Sequence, residues 1–157
     1  MLEEETRSLG SKNMPVLSAG IVVVKPSSNG YKYLFLESHK YLDFPKGKVD
    51  DGETLLKAAL RETKEESQLE DLDFKWGTNL FKETLPYKTK ANGKSVKKVS
   101  RYYVAELKSG EVRLEPNPES GILEHNKFYW VTYEEAASMN LRERIREILN
   151  WAHGEVS

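Results

Sequence analysis

The segment 17–25 carries an unbroken β-branched run, Ile21-Val22-Val23-Val24, and a second apolar stretch at 32–37 follows the turn-forming sequence Pro26-Ser27-Ser28-Asn29-Gly30. β-Branched and aromatic residues bounded by Pro, Ser, Asn and Gly predict two strands joined as a hairpin. Further strands are predicted over 74–83, 97–107 and 127–132. The period then changes: Leu56, Ala59, Leu60 and Thr63 recur at i, i+3, i+4 and i+7, the stripe of a helix docked on a core. Two more helices are predicted near the end, a short one over 133–139 and a longer one over 141–153, with Leu141, Ile145, Ile148 and Leu149 on one face. Strands interleaved with helices predict a layered α/β domain.

The chain has 157 residues, 38% of them hydrophobic, and a formal charge of −1, which suits one soluble domain with a sizeable core. Residues 1–14 show no apolar period and read as a loose tail, leaving 15–157 as a single domain. The absence of cysteine excludes disulfides and thiolate metal sites. No stretch approaches the roughly 20 apolar residues of a membrane span. The acidic start, Met1-Leu2-Glu3-Glu4-Glu5, is unlike a signal peptide. A cytoplasmic protein without membrane association is therefore expected, and no protein partner is indicated.

The helix with the stripe Leu56, Ala59, Leu60 and Thr63 also carries the chemistry. At about 100° per residue, Glu62, Glu65 and Glu66 fall within about 100° of one another, on a face beside the apolar stripe. Lys57 and Lys64 point to the far side. Arg61 can reach Glu65, but Glu62 meets Glu66 at i+4 with no basic residue between them, a like-charge pair costing roughly 0.2–0.5 kcal/mol. A hard, oxygen-seeking cation such as Mg²⁺ would offset that repulsion. Phe44-Pro45-Lys46-Gly47-Lys48 and Asp50-Asp51-Gly52-Glu53 precede the helix as a glycine-containing loop and an acidic turn.

Gly47, then Glu53 after five residues, then Arg61-Glu62-Thr63-Lys64-Glu65-Glu66-Ser67-Gln68-Leu69 after seven more, resembles the box of the Nudix hydrolases. Thr63 departs from the family's bulky aliphatic and Gln68 from its glycine, the latter where a positive φ costs an ordinary residue about 1–2 kcal/mol. The resemblance implies a Nudix α/β/α sandwich with a mixed central sheet. It also implies a metal site formed by Glu62, Glu65, Glu66 and the backbone carbonyl of Lys46, with Mg²⁺ as cofactor and Mn²⁺ as a substitute. Arg61 would orient the catalytic carboxylates, a task for a planar guanidinium, and Glu53 would brace Arg61 or the loop. A carboxylate from a later loop completes the family pattern. Glu124, six residues before Trp130, is expected to fill it as ligand or base, with Glu119 in reserve.

Substrate choice lies outside the box. Lys88, Lys90, Lys94, Lys97, Lys98 and Arg101 concentrate positive charge in a nearly neutral chain, suiting a polyphosphate or an RNA 5′ end. Beside them Tyr87 offers a ring on which a nucleobase can stack. Over residues 17–152 the chain further resembles the asymmetric diadenosine tetraphosphate hydrolases, a branch of the Nudix family. The likeness is carried by Phe81-Lys82-Glu83-Thr84-Leu85-Pro86-Tyr87, by Arg101-Tyr102-Tyr103-Val104-Ala105-Glu106-Leu107, and by Glu124-His125 with Tyr129-Trp130-Val131. It implies that Tyr87 stacks adenine and that Lys46, Lys88, Tyr103 and His39 contact the phosphates of a dinucleoside polyphosphate, which metal-dependent water attack on phosphorus splits into ATP and AMP. Removal of pyrophosphate from RNA 5′ ends, hydrolysis of inositol pyrophosphates, and a non-catalytic nucleotide-binding domain are the alternatives.

Overall fold

The computed structural model describes residues 14–157; the tail expected over 1–14 lies almost entirely outside them. Among the described residues nine strands form one mixed sheet, its main path running β3-β2-β1-β8-β5. β1 (Val16–Ser27) and β2 (Gly30–Ser38) form the expected hairpin, with Gly30 at φ 123° closing the turn. β3 (Tyr41–Asp43) lies against β2, and β4 (Lys46–Lys48) pairs with the start of β1. α1 (Leu55–Ser67) follows, then β5 (Asp71–Asp73), β6 (Phe81–Glu83), β7 (Tyr87–Ala91), β8 (Lys94–Ser109), β9 (Lys127–Thr132), α2 (Tyr133–Ala137) and α3 (Glu143–Val156).

β1 lies at the centre, parallel to β8 and antiparallel to β2, so its run from Ser18 to Val24 is buried on both faces. Alternation sends Ala19, Ile21 and Val23 toward α1, and Val22 and Val24 toward α2 and α3. Leu34, Leu36, Tyr103 and Ala105 join the first core, while Tyr33, Phe35, Phe44 and Tyr102 join the second with Ile145, Ile148 and Leu149. The result is the expected α/β/α sandwich. Gly20 fixes the crossing of β4 over β1, since a Cβ there would sit 2.2 Å from the Pro45 carbonyl oxygen.

Three elements differ from the sequence expectation. The segment 74–83 is strand only over Phe81–Glu83, because Gly77 at φ 98° turns the chain inside it. The lysine-rich segment ahead of the strand expected over 97–107 is a hairpin: Asn92 (φ 53°) and Gly93 (φ 78°) form its turn, and β8 begins at Lys94. The buried stripe of α1 is Leu55, Ala58, Ala59, Thr63 and Ser67, whereas Leu60 is exposed. Two alanines bring the helix close to the sheet, and the rotation carries Glu62 and Glu66 inward.

Candidate active site

Three successive residues of β4 meet three side chains of α1. The Lys46 N–H donates to Glu66 Oε1 at 3.1 Å, and Arg61 Nη2 donates to the Lys48 carbonyl at 2.9 Å. Between them, Gly47 leaves room for the Glu62 carboxylate, which lies where a Cβ would be. The helix that supplies these groups starts at Thr54, whose hydroxyl accepts from the Lys57 N–H, and ends at Gln68 in the left-handed region at φ 67°. The Gln68 N–H reaches the Lys64 carbonyl and its side-chain amide the Glu65 carbonyl, so the helix exit is made without glycine.

Arg61 is the hub. Its Nε and Nη2 bind both oxygens of Glu53 at 2.8 and 2.9 Å, and Nη1 donates to Glu62 at 2.8 Å and, more weakly, to Glu65 at 3.5 Å. Glu53 Oε1 also accepts from the Asp50 N–H. Glu53 thus braces both the guanidinium and the loop. Hydrogen bonding to Arg61 holds the Glu53 carboxyl below the usual range. Glu62 and Glu66 behave oppositely: burial pushes both up, Glu66 well above, despite the pull of Arg61 on the first and of the Lys46 N–H on the second.

A distant loop completes the cluster. Asn117 organises it, its Oδ1 accepting from the N–H groups of Glu119 and Ser120 and its Nδ2 donating to Glu124 Oε2 at 3.2 Å. Ligand atoms of Glu66, Glu124 and His125 lie within 4.8 Å of one another. Glu124 thus lies beside Glu66 and lines the cleft, whereas Glu119 is exposed and does not line it. Burial, opposed by nearby Asp43 and reinforced by Lys46, lowers the pKa of His125, which favours the neutral imidazole, the form that binds a metal. Two half-buried carboxylates penalised in their charged form and a third facing solvent are a donor set suited to a hard divalent cation, and the imidazole beside them is a donor suited to a transition-metal ion. Glu65, half-exposed, lines a crevice beside Glu66 and Glu124.

These residues open onto a cleft of about 620 Å³ that also holds His39, Tyr41, Asp43 and Lys46. Asp43 accepts from the Tyr102 hydroxyl at 2.9 Å and lies 3.7 Å from the Lys46 ammonium. Burial works against that ammonium, but Asp43, Tyr87 and Glu66 outweigh it and hold its pKa above the usual value. On the neighbouring hairpin Tyr87 stands opposite Lys98, whose pKa burial and the charge of Lys46 lower. The Tyr87 hydroxyl bonds to Ser100, and the Arg144 guanidinium lies 3.7 Å over its ring.

The structure thus gathers Lys46, Glu53, Arg61, Glu62, Glu65, Glu66 and Glu124, with His39 on the rim and Tyr87 beside them. Two expected substrate contacts fall elsewhere. Tyr103 is fully buried in the core on the α1 side, its ring edge-on to Phe81 and its hydroxyl within 3.4 Å of Arg101. Lys88 is exposed and, by strand alternation, faces away from Tyr87 and Lys98. Asp43, Asn117, His125 and Arg144 were missed. Asn117-Pro118 with Gly121 is a legible turn signal for the loop, but no local pattern marks Asp43 or Arg144.

A mixed sheet between helices, with an Arg-braced glutamate cluster on the helix after a glycine-containing strand, defines a Nudix hydrolase, and the chain belongs to the Nudix family, whose NUDIX domain matches residues 14–152. Within that family it is similar to the asymmetrical bis(5′-nucleosyl)-tetraphosphatase of Caenorhabditis elegans, 34% identical over 129 residues, 78% of this chain and 83% of the relative. The Mus musculus protein of the same name is 32% identical over 69% of this chain and 67% of its own. Among solved structures, the C. elegans Ap4A hydrolase matches with TM-score 0.56 and 29% identity over 90% of this chain and 92% of that one. The NUDIX domain of Shewanella oneidensis NrtR shares the fold alone, with TM-score 0.66 at 12% identity over 96% and 94% of the two chains. The non-catalytic alternative is set aside: every glutamate of the box is present and built into the site.

Proposed function

We propose that this Nudix hydrolase acts in the cytoplasm on diadenosine tetraphosphate, giving ATP and AMP with Mg²⁺ as cofactor and Mn²⁺ as a substitute. The observation that carries this reading is the wall formed by Lys46, Lys98 and Tyr87, which sets two cations and an aromatic ring beside the carboxylate cluster in a chain that resembles asymmetrical tetraphosphatases. A polyphosphate needs the cations and a nucleobase needs the ring.

Glu66, Glu124 and His125, with Glu62, Glu65 and the Lys46 carbonyl beside them, would hold the cation. Bound there, it supplies Lewis-acid polarisation of phosphoryl oxygens. Lys46 and Lys98 bind the phosphate chain, and the Tyr87 ring takes one base. Arg61 keeps Glu62 fixed against Gly47. A water oxygen bonds to the phosphorus next to one adenosine, and that phosphorus leaves as AMP. The bridging P–O bond breaks toward the other three phosphates, which leave as ATP. The proton of the water goes to a carboxylate of the cluster, for which Glu62, Glu66 and Glu124 are the candidates; of the three, Glu124 is exposed to solvent.

Product analysis tests the reading. Wild-type protein with diadenosine tetraphosphate and Mg²⁺ gives ATP plus AMP, and a Glu66→Gln variant gives neither while keeping its fold. Two ADP would contradict the cleavage position. A second reading, pyrophosphate removal from RNA 5′ ends, is favoured by Lys88, Lys90, Lys94 and Lys97, which stand exposed along the β7–β8 hairpin where an extended nucleic acid could follow. Preferred turnover of triphosphorylated RNA in direct competition would reverse the order. Inositol pyrophosphates would use the lysines but leave Tyr87 without a role.

A further inference from the structure

We infer that Tyr41 and Arg142 form a second base-stacking subsite, on a wall of the cleft distinct from Tyr87, which takes the nucleobase at the other end of the dinucleotide. The inference rests on the proposed substrate class and adds to it a place for the second nucleoside.

Tyr41 is 48% exposed, and the Arg142 guanidinium lies 3.6 Å over its ring centroid. Both line the cleft that contains Lys46, Glu62 and Glu66, as do Ile122 and Leu123, which are 63% and 49% exposed. Among the described residues, three of the seven large hydrophobic side chains left exposed therefore share this one cleft. Exposed apolar side chains gathered in a cleft indicate a binding surface. The cations and carboxylates of the same cleft require that the occupant also carry phosphates, and a nucleobase at the end of a polyphosphate satisfies both demands.

Arg142 is poorly chosen for any structural purpose. It occupies the N-cap of α3, where Ser, Thr, Asp or Asn would accept a hydrogen bond from the first turn, and its side chain makes none. Its positive charge also sits at the unfavourable end of the helix dipole. The guanidinium is held instead on the Tyr41 ring, a planar cation over a planar aromatic, on which a base stacks readily. β3 places Tyr41 two residues from Asp43, on the same face of the strand, and Asp43 in turn faces Lys46. The stacking wall is thus coupled through one short strand to the residue that meets the phosphates.

The test compares two non-hydrolysable, methylene-bridged ligands that differ only in the second nucleoside, the analogues of diadenosine tetraphosphate and of adenosine 5′-tetraphosphate, by titration calorimetry in Mg²⁺. Tyr41→Ala and Arg142→Ser are each expected to weaken the dinucleotide about tenfold and the mononucleotide less than twofold, while Tyr41→Phe retains binding. Because serine is the better N-cap, Arg142→Ser should bind less while melting no lower than wild type, a combination that a purely structural role for Arg142 would not give. Equal weakening of both ligands, or no weakening of either, overturns the subsite, as does failure of wild type to prefer the dinucleotide analogue. Selective weakening in a protein that releases no ATP and AMP from diadenosine tetraphosphate would support the subsite and reject the proposed reaction.

Discussion

Gly47→Ala should abolish most turnover and leave the fold standing. The new Cβ would lie 2.1 Å from Glu62 Cδ and Oε1 and 2.5 Å from Oε2. Ordinary non-bonded contact is about 3.5 Å, so the carboxylate must retreat by roughly 1 Å or more. That motion breaks the 2.8 Å hydrogen bond from Arg61 and takes a carboxylate proposed as proton acceptor or metal ligand out of place. A displacement of about 1 Å at a reacting centre costs on the order of 100-fold in rate. Stability changes less. Losing a charge-assisted hydrogen bond costs about 1.5–3 kcal/mol, but the carboxylate escapes a burial that already disfavours its charged form, and alanine restricts the unfolded chain by about 0.4–1 kcal/mol. The net loss, about 1 kcal/mol, lowers Tm by roughly 2–4 °C. Steady-state hydrolysis alongside thermal unfolding measures both. In a Glu62→Gln background Gly47→Ala should add little further loss, because both changes act on one carboxylate. Wild-type kcat in the single variant, or fully multiplicative losses in the double variant, would refute the argument.

Arg61→Lys keeps the charge but loses the fork that joins Glu53 to Glu62; kcat should fall about 10–100-fold with KM nearly unchanged, and a change confined to KM would reject an orienting role. Thr63→Val should raise stability by about 1 kcal/mol, since the Thr63 hydroxyl is fully buried and has no hydrogen-bond partner among the described residues; a lower Tm in thermal unfolding would show that the hydroxyl is satisfied. Without a divalent cation, the raised Glu62 and Glu66 make the folded state hold protons that the unfolded chain has released above about pH 4.3. Their contribution to stability therefore falls as pH rises through the raised folded values, whereas the lowered Glu53 stabilises above that pH and loses its effect only as pH falls through its folded value. Added Mg²⁺ should consequently raise Tm more at pH 8 than at pH 5.5, and equal shifts by scanning fluorimetry would reject the cluster as its site.

The cluster built from the box was legible because its contacts join two nearby segments. Lys46, Gly47 and Lys48 meet Glu66, Glu62 and Arg61 across a single strand–turn–helix unit, so spacing along the chain encodes spacing in the site. The helix phase was less so. Leu56 packs against the core, but counting Leu60 with it underrated the close approach allowed by Ala58 and Ala59, and the observed rotation turns Glu62 and Glu66 inward, both half-buried. Strand parity was the weakest point. Tyr102 and Tyr103 are adjacent and both wholly buried, so neither composition nor order reveals that they enter opposite cores and that the residue facing Asp43 is Tyr102.

What lay beyond the sequence is what the chain returns to late. Glu124 and His125 reach Glu66 from a loop ordered by Asn117, and Arg142 and Arg144 reach Tyr41 and Tyr87 from the start of α3. Of these, Tyr41, Asn117, Glu124, His125 and Arg142 line the cleft outside the box. The division follows from the chemistry: polarising a phosphoryl oxygen requires carboxylates held rigidly on one helix and strand, whereas grasping a ligand with two ends requires walls from distant parts of the chain. Substitutions in the box should therefore act mainly on kcat, and substitutions at Tyr41, Tyr87 and the two arginines mainly on KM and on which ligands are accepted.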